Sequence, residues 1–173
     1  LTWISLVGVF LAGGVLLFNQ PLGSVKGDVF FVSEATRWVK LGIVCLAGLS
    51  LWLHLGTEKH LPHQGEFHAL ILFATVGMLL LVGADHLIMI FIALELTALS
   101  LYVLAGFEKS KSICTQTAFK YFLIGGVSAA FLLYGFSLIY GVTGHMQLTD
   151  IQVNLASKST DPLLALGLII ALS

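Results

Sequence analysis

Six apolar stretches restrict the fold of this chain more than any other feature of its sequence. A bilayer core of roughly 30 Å needs about 20 helical residues to cross it, with about 17 as the lower limit. Five of the stretches reach that length, and the sixth does not. They run over residues 1–18, 38–55, 67–84, 87–107, 118–142 and 163–173. The pattern predicts an all-α polytopic membrane protein with five complete membrane helices and the start of a sixth.

The composition supports the same class of protein. Hydrophobic residues make up 58% of the 173 residues and charged residues only 10%, against roughly 25% in soluble domains. A globule of this size has too little interior to hide so much apolar surface. The formal net charge of -1 provides no field that attracts nucleic acid. These observations exclude a disordered or nucleic-acid-binding protein and make the lipid bilayer the expected surroundings.

The two ends of the sequence indicate a piece of a longer chain. Leu1 is not an initiator Met, no basic stretch precedes the first apolar run, and the last residues are still apolar. The sequence has no internal repeat and no linker that would separate two domains. We therefore expect residues 1–173 to form one transmembrane domain that is present only in part.

Only three charged residues lie inside the apolar stretches, namely Lys40, Glu95 and Lys120. Lys40 lies near the start of its stretch beside Trp38, where a lysine extends its amine to the headgroups. Glu95 is the ninth residue of its stretch, about 12 Å from the start at a rise of 1.5 Å per residue. A glutamate side chain is too short to reach water from that depth.

Glu95 is therefore the leading candidate for a functional residue. A carboxylate at that depth costs roughly 2.5 to 3.5 kcal/mol, so it persists only if it is paired, hydrated or protonated. Removal from water favours the neutral carboxyl, whereas a nearby cation favours the charged form. A change in a neighbouring partner group can thus cause the carboxyl to bind or release its proton. The alternative is a permanently protonated, structural glutamate that bonds to another helix.

Lys120 has two interpretations. It is nominally the third residue of its stretch, close enough to the edge for its amine to reach the headgroups. If residues 114–117 are already helical, Lys120 lies about two turns deep and shares a polar face with Gln116, Thr117 and Ser128. On that second interpretation it is a functional intramembrane lysine.

Other residues on these two stretches bear on helix packing. Tyr102 shares the Glu95 face and can donate to a carboxyl or a water chain, although a tyrosine at the membrane edge is the commoner case. Thr97 and Ser100 are expected to bond to their own helix. Small residues four apart within 125–130 predict that another helix approaches the fifth one closely.

We predict no cofactor-binding or metal site in this chain. Pro62 and Gly65 interrupt the histidine-containing segment 60–68 and break any helix that would align zinc ligands, so we interpret the segment as an interfacial loop. Cys45 is mid-helix and Cys114 is in a loop, which argues against a disulfide. The sequence also contains none of the common nucleotide-binding or nucleophile motifs.

Three sequence blocks carry a family resemblance. They are GEF at 65–67, LEL at 94–96 followed by LYVLAGF at 101–107, and FKYFLIGG through FLLYG at 119–135. Residues 65–144 thereby resemble subunit N of bacterial NADH:quinone oxidoreductase, one of the antiporter-like proton-pumping subunits of respiratory complex I. By matching position, Glu95 is similar to the key carboxylate of the family's fifth transmembrane helix, and Lys120 to the lysine near the start of its sixth. Ser100 stands where many members have Pro.

The resemblance implies a fourteen-helix bundle in which this chain runs from the second helix into the seventh, with a lysine partner of Glu95 beyond Ser173. It implies proton translocation across the cell inner (plasma) membrane, coupled to electron transfer from NADH to quinone. The chain would be one subunit of this translocase, without a redox centre of its own. NADH, FMN, iron–sulfur clusters and quinone are expected on partner subunits or their interfaces, and the partners are other complex I membrane subunits.

Two alternatives remain open from the sequence. Subunits of multisubunit cation/proton antiporters and of membrane-bound hydrogenases share this helix pattern, although the GEF block favours subunit N. A structural membrane scaffold with an inert Glu95 is an alternative from a different functional class.

The topology is a first testable prediction. One membrane face carries three lysines on two short loops, and the other carries three basic residues on two long loops. The first set is Lys59, Lys109 and Lys111, and the second is Lys26, Arg37 and Lys158. Because the positive-inside bias acts on short loops, we expect the first face to be cytoplasmic. With membrane-impermeant thiol reagents on intact cells, Ser157→Cys should label and Ser110→Cys should not, and the reverse pattern would overturn the orientation.

Overall fold

The computed structural model describes residues 2–18, 25–26, 29–54, 63–108, 112–157 and 162–172. Within these residues the chain forms seven helices and one short antiparallel strand pair, which confirms the predicted all-α membrane fold. The helices are α1 (Thr2–Phe18), α2 (Glu34–His54), α3 (Gln64–Leu81), α4 (Leu87–Ala105), α5 (Ser112–Thr143), α6 (Leu148–Ser157) and α7 (Pro162–Leu172), and the strands are β1 (Val25–Lys26) and β2 (Phe31–Val32).

Four of the predicted membrane helices are long and apolar enough to cross a bilayer. They are α2, α3, α4 and α5, with 21, 18, 19 and 32 residues. The first predicted helix, α1, has 17 residues, which is the lower limit for a span. The predicted start of a further helix is α7, which covers 11 residues.

Three helix starts lie earlier in the chain than the hydropathy pattern predicts. α2 begins at Glu34, so that Arg37 lies in its first turn and its Nε donates to the Leu16 carbonyl at 2.9 Å, instead of lying in a loop. α3 begins at Gln64, which makes the end of the histidine segment helical. α5 begins at Ser112. The polar first turns of these helices lack the apolar signal that marks a membrane span.

Four of the basic residues used in the topology prediction, the lysines at 59, 109, 111 and 158, lie outside the described residues.

The helices point many of their large apolar side chains outward. Phe10, Trp38 and Ile124 are exposed to 75%, 67% and 67%, whereas the buried cores are small. One core cluster joins α1 and α2 through Leu6, Val9, Val44 and Leu51. Such outward-facing apolar surface is stable against lipid or other membrane helices, and it is the arrangement expected of a membrane protein.

From α1 to α5 each helix packs against the next one in the chain, and α7 packs against α5. Helices α3 and α4 approach each other closely at Gly77. A Cβ placed there would overlap Thr97 Oγ1 and would lie 2.9 Å from the Ala93 carbonyl oxygen. Only glycine fits that contact without moving a helix. α3 therefore covers the side of α4 that carries Ala93, which is fully buried.

One end of the bundle is joined by hydrogen bonds that the sequence did not predict. The α3–α4 connection is Val82–His86 rather than a two-residue turn, and Asp85 lies at its centre, 5% exposed. The Asp85 amide donates to the Val29 carbonyl at 2.8 Å, and its carbonyl accepts from the Leu148 amide at 2.9 Å. The Thr149 hydroxyl donates to Asp85 Oδ2 at 3.1 Å. Asp85 thus connects Val29, which lies between β1 and β2, with the α3–α4 connection and the first turn of α6.

This geometry predicts that Asp85→Ala loosens α6. A hydrogen bond to a buried carboxylate contributes about 1.5 to 3 kcal/mol, so the purified full-length protein should unfold at a lower temperature and α6 should be cleaved faster by protease. Thr149→Val removes the same bond from the other side and should act similarly, whereas Asp85→Asn keeps an acceptor and should lose less. An Asp85→Ala protein with wild-type melting and cleavage would contradict this role.

Candidate functional site

Glu95 lies in the middle of α4, on the side that α3 does not cover. It is the ninth residue of this 19-residue helix and is half-buried. At 3.6 residues per turn, Ala93 at the α3 contact lies about 160° around the helix from Glu95. In the part of the chain that the structure describes, no basic side chain forms an ion pair with the Glu95 carboxyl. The carboxyl thus lies on the side of α4 opposite the α3 contact.

The hydroxyl groups of α4 near Glu95 are engaged by their own helix, as predicted. The Thr97 hydroxyl donates to the Ala93 carbonyl at 2.9 Å, and the Ser100 hydroxyl donates to the Leu96 carbonyl at 2.7 Å. Both side chains are on the α3 side of α4, and Ser100 is buried. Neither hydroxyl is directed toward the Glu95 side.

Tyr102 is on the Glu95 side and lies between α4 and α5. Its position is seven residues after Glu95, about 20° away around the helix. The ring lies directly against Gly125 of α5, where an added Cβ would overlap the Tyr102 hydroxyl oxygen and Cζ. Tyr102 therefore packs in the contact between two helices, and the glycine makes room for its hydroxyl end.

Lys120 is the ninth residue of α5, because residues 114–117 are helical as the second interpretation required. Its side chain is exposed. The α4 side of α5 is marked by Ala118, which packs against Gly106. Lys120 is two residues further on, about 200° around the helix, and so lies on the side of α5 away from α4.

The helix register also separates Lys120 from Glu95 along the membrane axis. The Gly106–Ala118 and Tyr102–Gly125 contacts show that α4 and α5 run antiparallel. Lys120 is therefore level with the last turn of α4. Glu95 is roughly ten residues back along α4, a separation of about 15 Å along the axis. The structure does not bring the two predicted site residues together, and a direct ion pair between them is excluded.

The histidine segment forms part of an aromatic cluster, in contrast to the predicted interfacial loop. His68 is buried, and its Nδ1 is 2.5 Å from the Gln64 carbonyl. The ring of His54, which the sequence analysis did not single out, stacks on Phe67 with centroids 4.4 Å apart. Phe67 also contacts Phe107 at the end of α4. Residues 60–62 lie outside the described residues.

The described residues contain no group of three or more histidine, cysteine or acidic side chains that could hold a metal ion. Cys45 and Cys114 are both free. Lys40 is the seventh residue of α2 and half-buried. These side chains add no second chemical centre to the one around Glu95.

An apolar helix bundle with one carboxyl in the middle of a membrane helix defines a class, the multi-pass membrane proteins that carry an ionisable group inside the bilayer. Residues 84–173 match the family described as NADH:quinone oxidoreductase/Mrp antiporter, TM. The chain belongs to this family of antiporter-like membrane subunits, and it is a multi-pass protein of the inner membrane. The resemblance seen in the sequence is confirmed.

Relatives with high similarity are named subunit N. The chain is 46% identical to NADH-quinone oxidoreductase subunit N 2 of Acidobacterium capsulatum over 178 residues, which covers 98% of this chain and 35% of that protein. It is 36% identical to NADH-quinone oxidoreductase subunit N of Trichlorobacter lovleyi over 180 residues, covering 100% of this chain and 36% of that protein. The chain thus spans about a third of the length of these curated relatives.

Solved structures show the same fold. A chain of respiratory complex I from Thermus thermophilus with bound aureothin superposes with a TM-score of 0.79 and 32% identity, covering 99% of this chain and 36% of that one. A chain of the membrane-bound sulfane sulfur reductase, an archaeal respiratory membrane complex, gives a TM-score of 0.76 at 21% identity, covering 98% and 34%. At that lower identity the likeness concerns the fold alone.

Proposed function

We propose that this chain is part of a proton-translocating membrane-arm subunit of an NADH:quinone oxidoreductase, and that Glu95 binds the translocated proton. The observation that carries the proposal is the position of Glu95, half-buried in the middle of α4 on the side that α3 leaves open. The names of the relatives support the choice of complex. In this proposal the partners are other membrane subunits of complex I.

The energetics require Glu95 to alternate between charge states. Moving one proton against 100 mV takes about 2.3 kcal/mol, so an open pore would dissipate the gradient. A carboxyl that is neutral when cut off from water and charged when a cation or water reaches it can take a proton from one side and release it to the other. The driving energy would come from electron transfer in partner subunits, which would hold NADH, FMN, iron–sulfur clusters and quinone.

Lys120 would act on Glu95 at a distance, as a cation near one end of the path that the proton takes through the membrane. It is level with the last turn of α4, where its amine can reach the headgroup region. Coulomb's law gives about 1 kcal/mol for two unit charges 15 Å apart at an effective dielectric of about 20, and water and salt reduce that figure. Its position therefore favours a modest electrostatic influence.

A subunit of a cation/proton antiporter is the second candidate, because the matched family also includes Mrp antiporters. A proton-transferring carboxyl serves that function equally well. The two differ in the source of energy. Proton uptake that requires NADH oxidation in the assembled complex supports the oxidoreductase, whereas proton movement driven by a sodium gradient alone supports the antiporter.

Glu95→Gln tests the proposed function most directly. The amide keeps the size and hydrogen bonding of the side chain but cannot carry a proton. NADH-driven proton uptake by membrane vesicles should fall on the order of ten-fold or more, because a positioned proton-transfer group contributes roughly 10² to 10⁴. Glu95→Asp should retain part of the activity.

Glu34→Gln is the matched control, since Glu34 is an exposed carboxyl in the first turn of α2. The Glu34→Gln variant should show the wild-type rate of NADH-driven proton uptake. The amount of assembled complex is measured in every variant. Normal pumping by Glu95→Gln would support the inert scaffold, as would an equal loss of assembly in both Glu95 variants.

Lys120 variants test the long-range influence. Lys120→Ala should lower the pumping rate about five-fold or less, as expected from at most about 1 kcal/mol, and Lys120→Arg should keep most of the rate because the charge remains. The effect of Lys120→Ala should shrink at high salt. If Lys120 acts through Glu95, the double variant with Glu95→Gln should be hardly worse than Glu95→Gln alone. Losses that multiply would show two independent defects.

A further inference from the structure

The contact between α4 and α5 contains a hydroxyl group at a level between Lys120 and Glu95. Lys120 is level with the end of α4 near Ala105, and Tyr102 is about three residues closer to the middle of the membrane. Tyr102 meets α5 at Gly125, the point at which an added Cβ would overlap its hydroxyl oxygen. The path from the membrane edge to Glu95 along this contact therefore passes the Tyr102 hydroxyl.

The helix geometry also directs Tyr102 toward Glu95. Side chains on an α-helix lean toward its N-terminus, and on α4 that direction runs from Tyr102 to Glu95. Their Cα atoms are about 10.5 Å apart along the axis, and the phenol ring extends over part of that distance. A short chain of hydrogen-bonded waters suffices to join the hydroxyl to the carboxyl.

Neighbouring hydroxyl groups are already used within their own helices. The Thr97 and Ser100 hydroxyls donate to α4 carbonyls, and the Thr117 hydroxyl donates to the Ile113 carbonyl of α5 at 2.8 Å. A phenol cannot bond to its own helix in this way, because the rigid ring holds its oxygen far from the backbone. Tyr102 is thus suited to exchange hydrogen bonds along the α4–α5 contact.

We propose that the Tyr102 hydroxyl relays protons between the membrane edge at the C-terminal end of α4 and the Glu95 carboxyl, and that Gly125 provides the space it needs. This inference rests on the proposed function. In each transfer a protonated water on the membrane-edge side gives a proton to the hydroxyl as the hydroxyl donates its own proton to a water on the Glu95 side. That water passes a proton on to the Glu95 carboxylate, so both waters and Tyr102 end neutral and the carboxylate becomes protonated.

Tyr102→Phe separates the hydroxyl from the ring, because phenylalanine keeps the packing against Gly125. In the intact complex, NADH-driven proton uptake should fall on the order of ten-fold. This is less than the roughly 10² to 10⁴ of a positioned general acid, since a water can partly replace the hydroxyl. The ratio of the rates in H₂O and D₂O should rise, because the slowed proton transfer then limits turnover. The matched control is Tyr134→Phe, on the opposite side of α5, which should leave both quantities unchanged.

Gly125→Ala provides a second variant at the same contact. The new methyl group would displace the ring, so the pumping rate should fall and the isotope ratio should rise as in Tyr102→Phe. Normal pumping by Tyr102→Phe overturns the relay, as does a slower rate with an unchanged isotope ratio, which would indicate packing only. In either case a loss in Glu95→Gln leaves the proposed function standing, whereas normal pumping by Glu95→Gln overturns the proposed function itself.

Discussion

Hydrocarbon surroundings require that each polar group of a membrane helix find its partner within the protein, and five hydroxyl groups of the described helices meet this requirement in the same way. The hydroxyls of Thr75, Thr97, Ser100, Thr117 and Thr143 all donate to the carbonyl four residues earlier in their own helix, at 2.7 to 2.9 Å. Such bonds leave the outer surface of each helix apolar. A carboxyl cannot donate to its own helix in this way when it is charged, and this distinguishes Glu95 from these hydroxyl groups.

The same requirement determines how the helices meet. With few polar contacts available between membrane helices, close packing depends on small residues. Gly77 lets α3 approach the Ala93 side of α4, and Gly125 lets Tyr102 lie against α5. The first contact covers the side of α4 opposite Glu95. The second places a phenol hydroxyl and α5 on the Glu95 side. Directional hydrogen bonds between separate elements are found at the end of the bundle, around Asp85.

Hydropathy predicted the membrane helices and the depth of Glu95, because transfer into lipid sorts residues along the sequence itself. It missed α6 and the strand pair, which are short and depend on hydrogen bonds between distant segments such as Asp85 and Thr149. It also left the place of Lys120 open. The spacing correctly indicated a helical position, but the level and side of Lys120 depend on the register between α4 and α5, which the Gly106–Ala118 contact fixes. A sequence pattern within one helix contains no information on that register.

The proposed function requires that Glu95 change its protonation state inside the membrane during turnover. Infrared difference spectra of the intact complex, recorded between the resting state and NADH-driven turnover, observe this change directly through the C=O stretch of a protonated carboxyl. We expect a carboxyl band that changes with turnover, shifts in D₂O and is missing from the Glu95→Gln spectrum. An unchanged band in Glu95→Gln would show that the protonation change belongs to another residue and would contradict the role of Glu95.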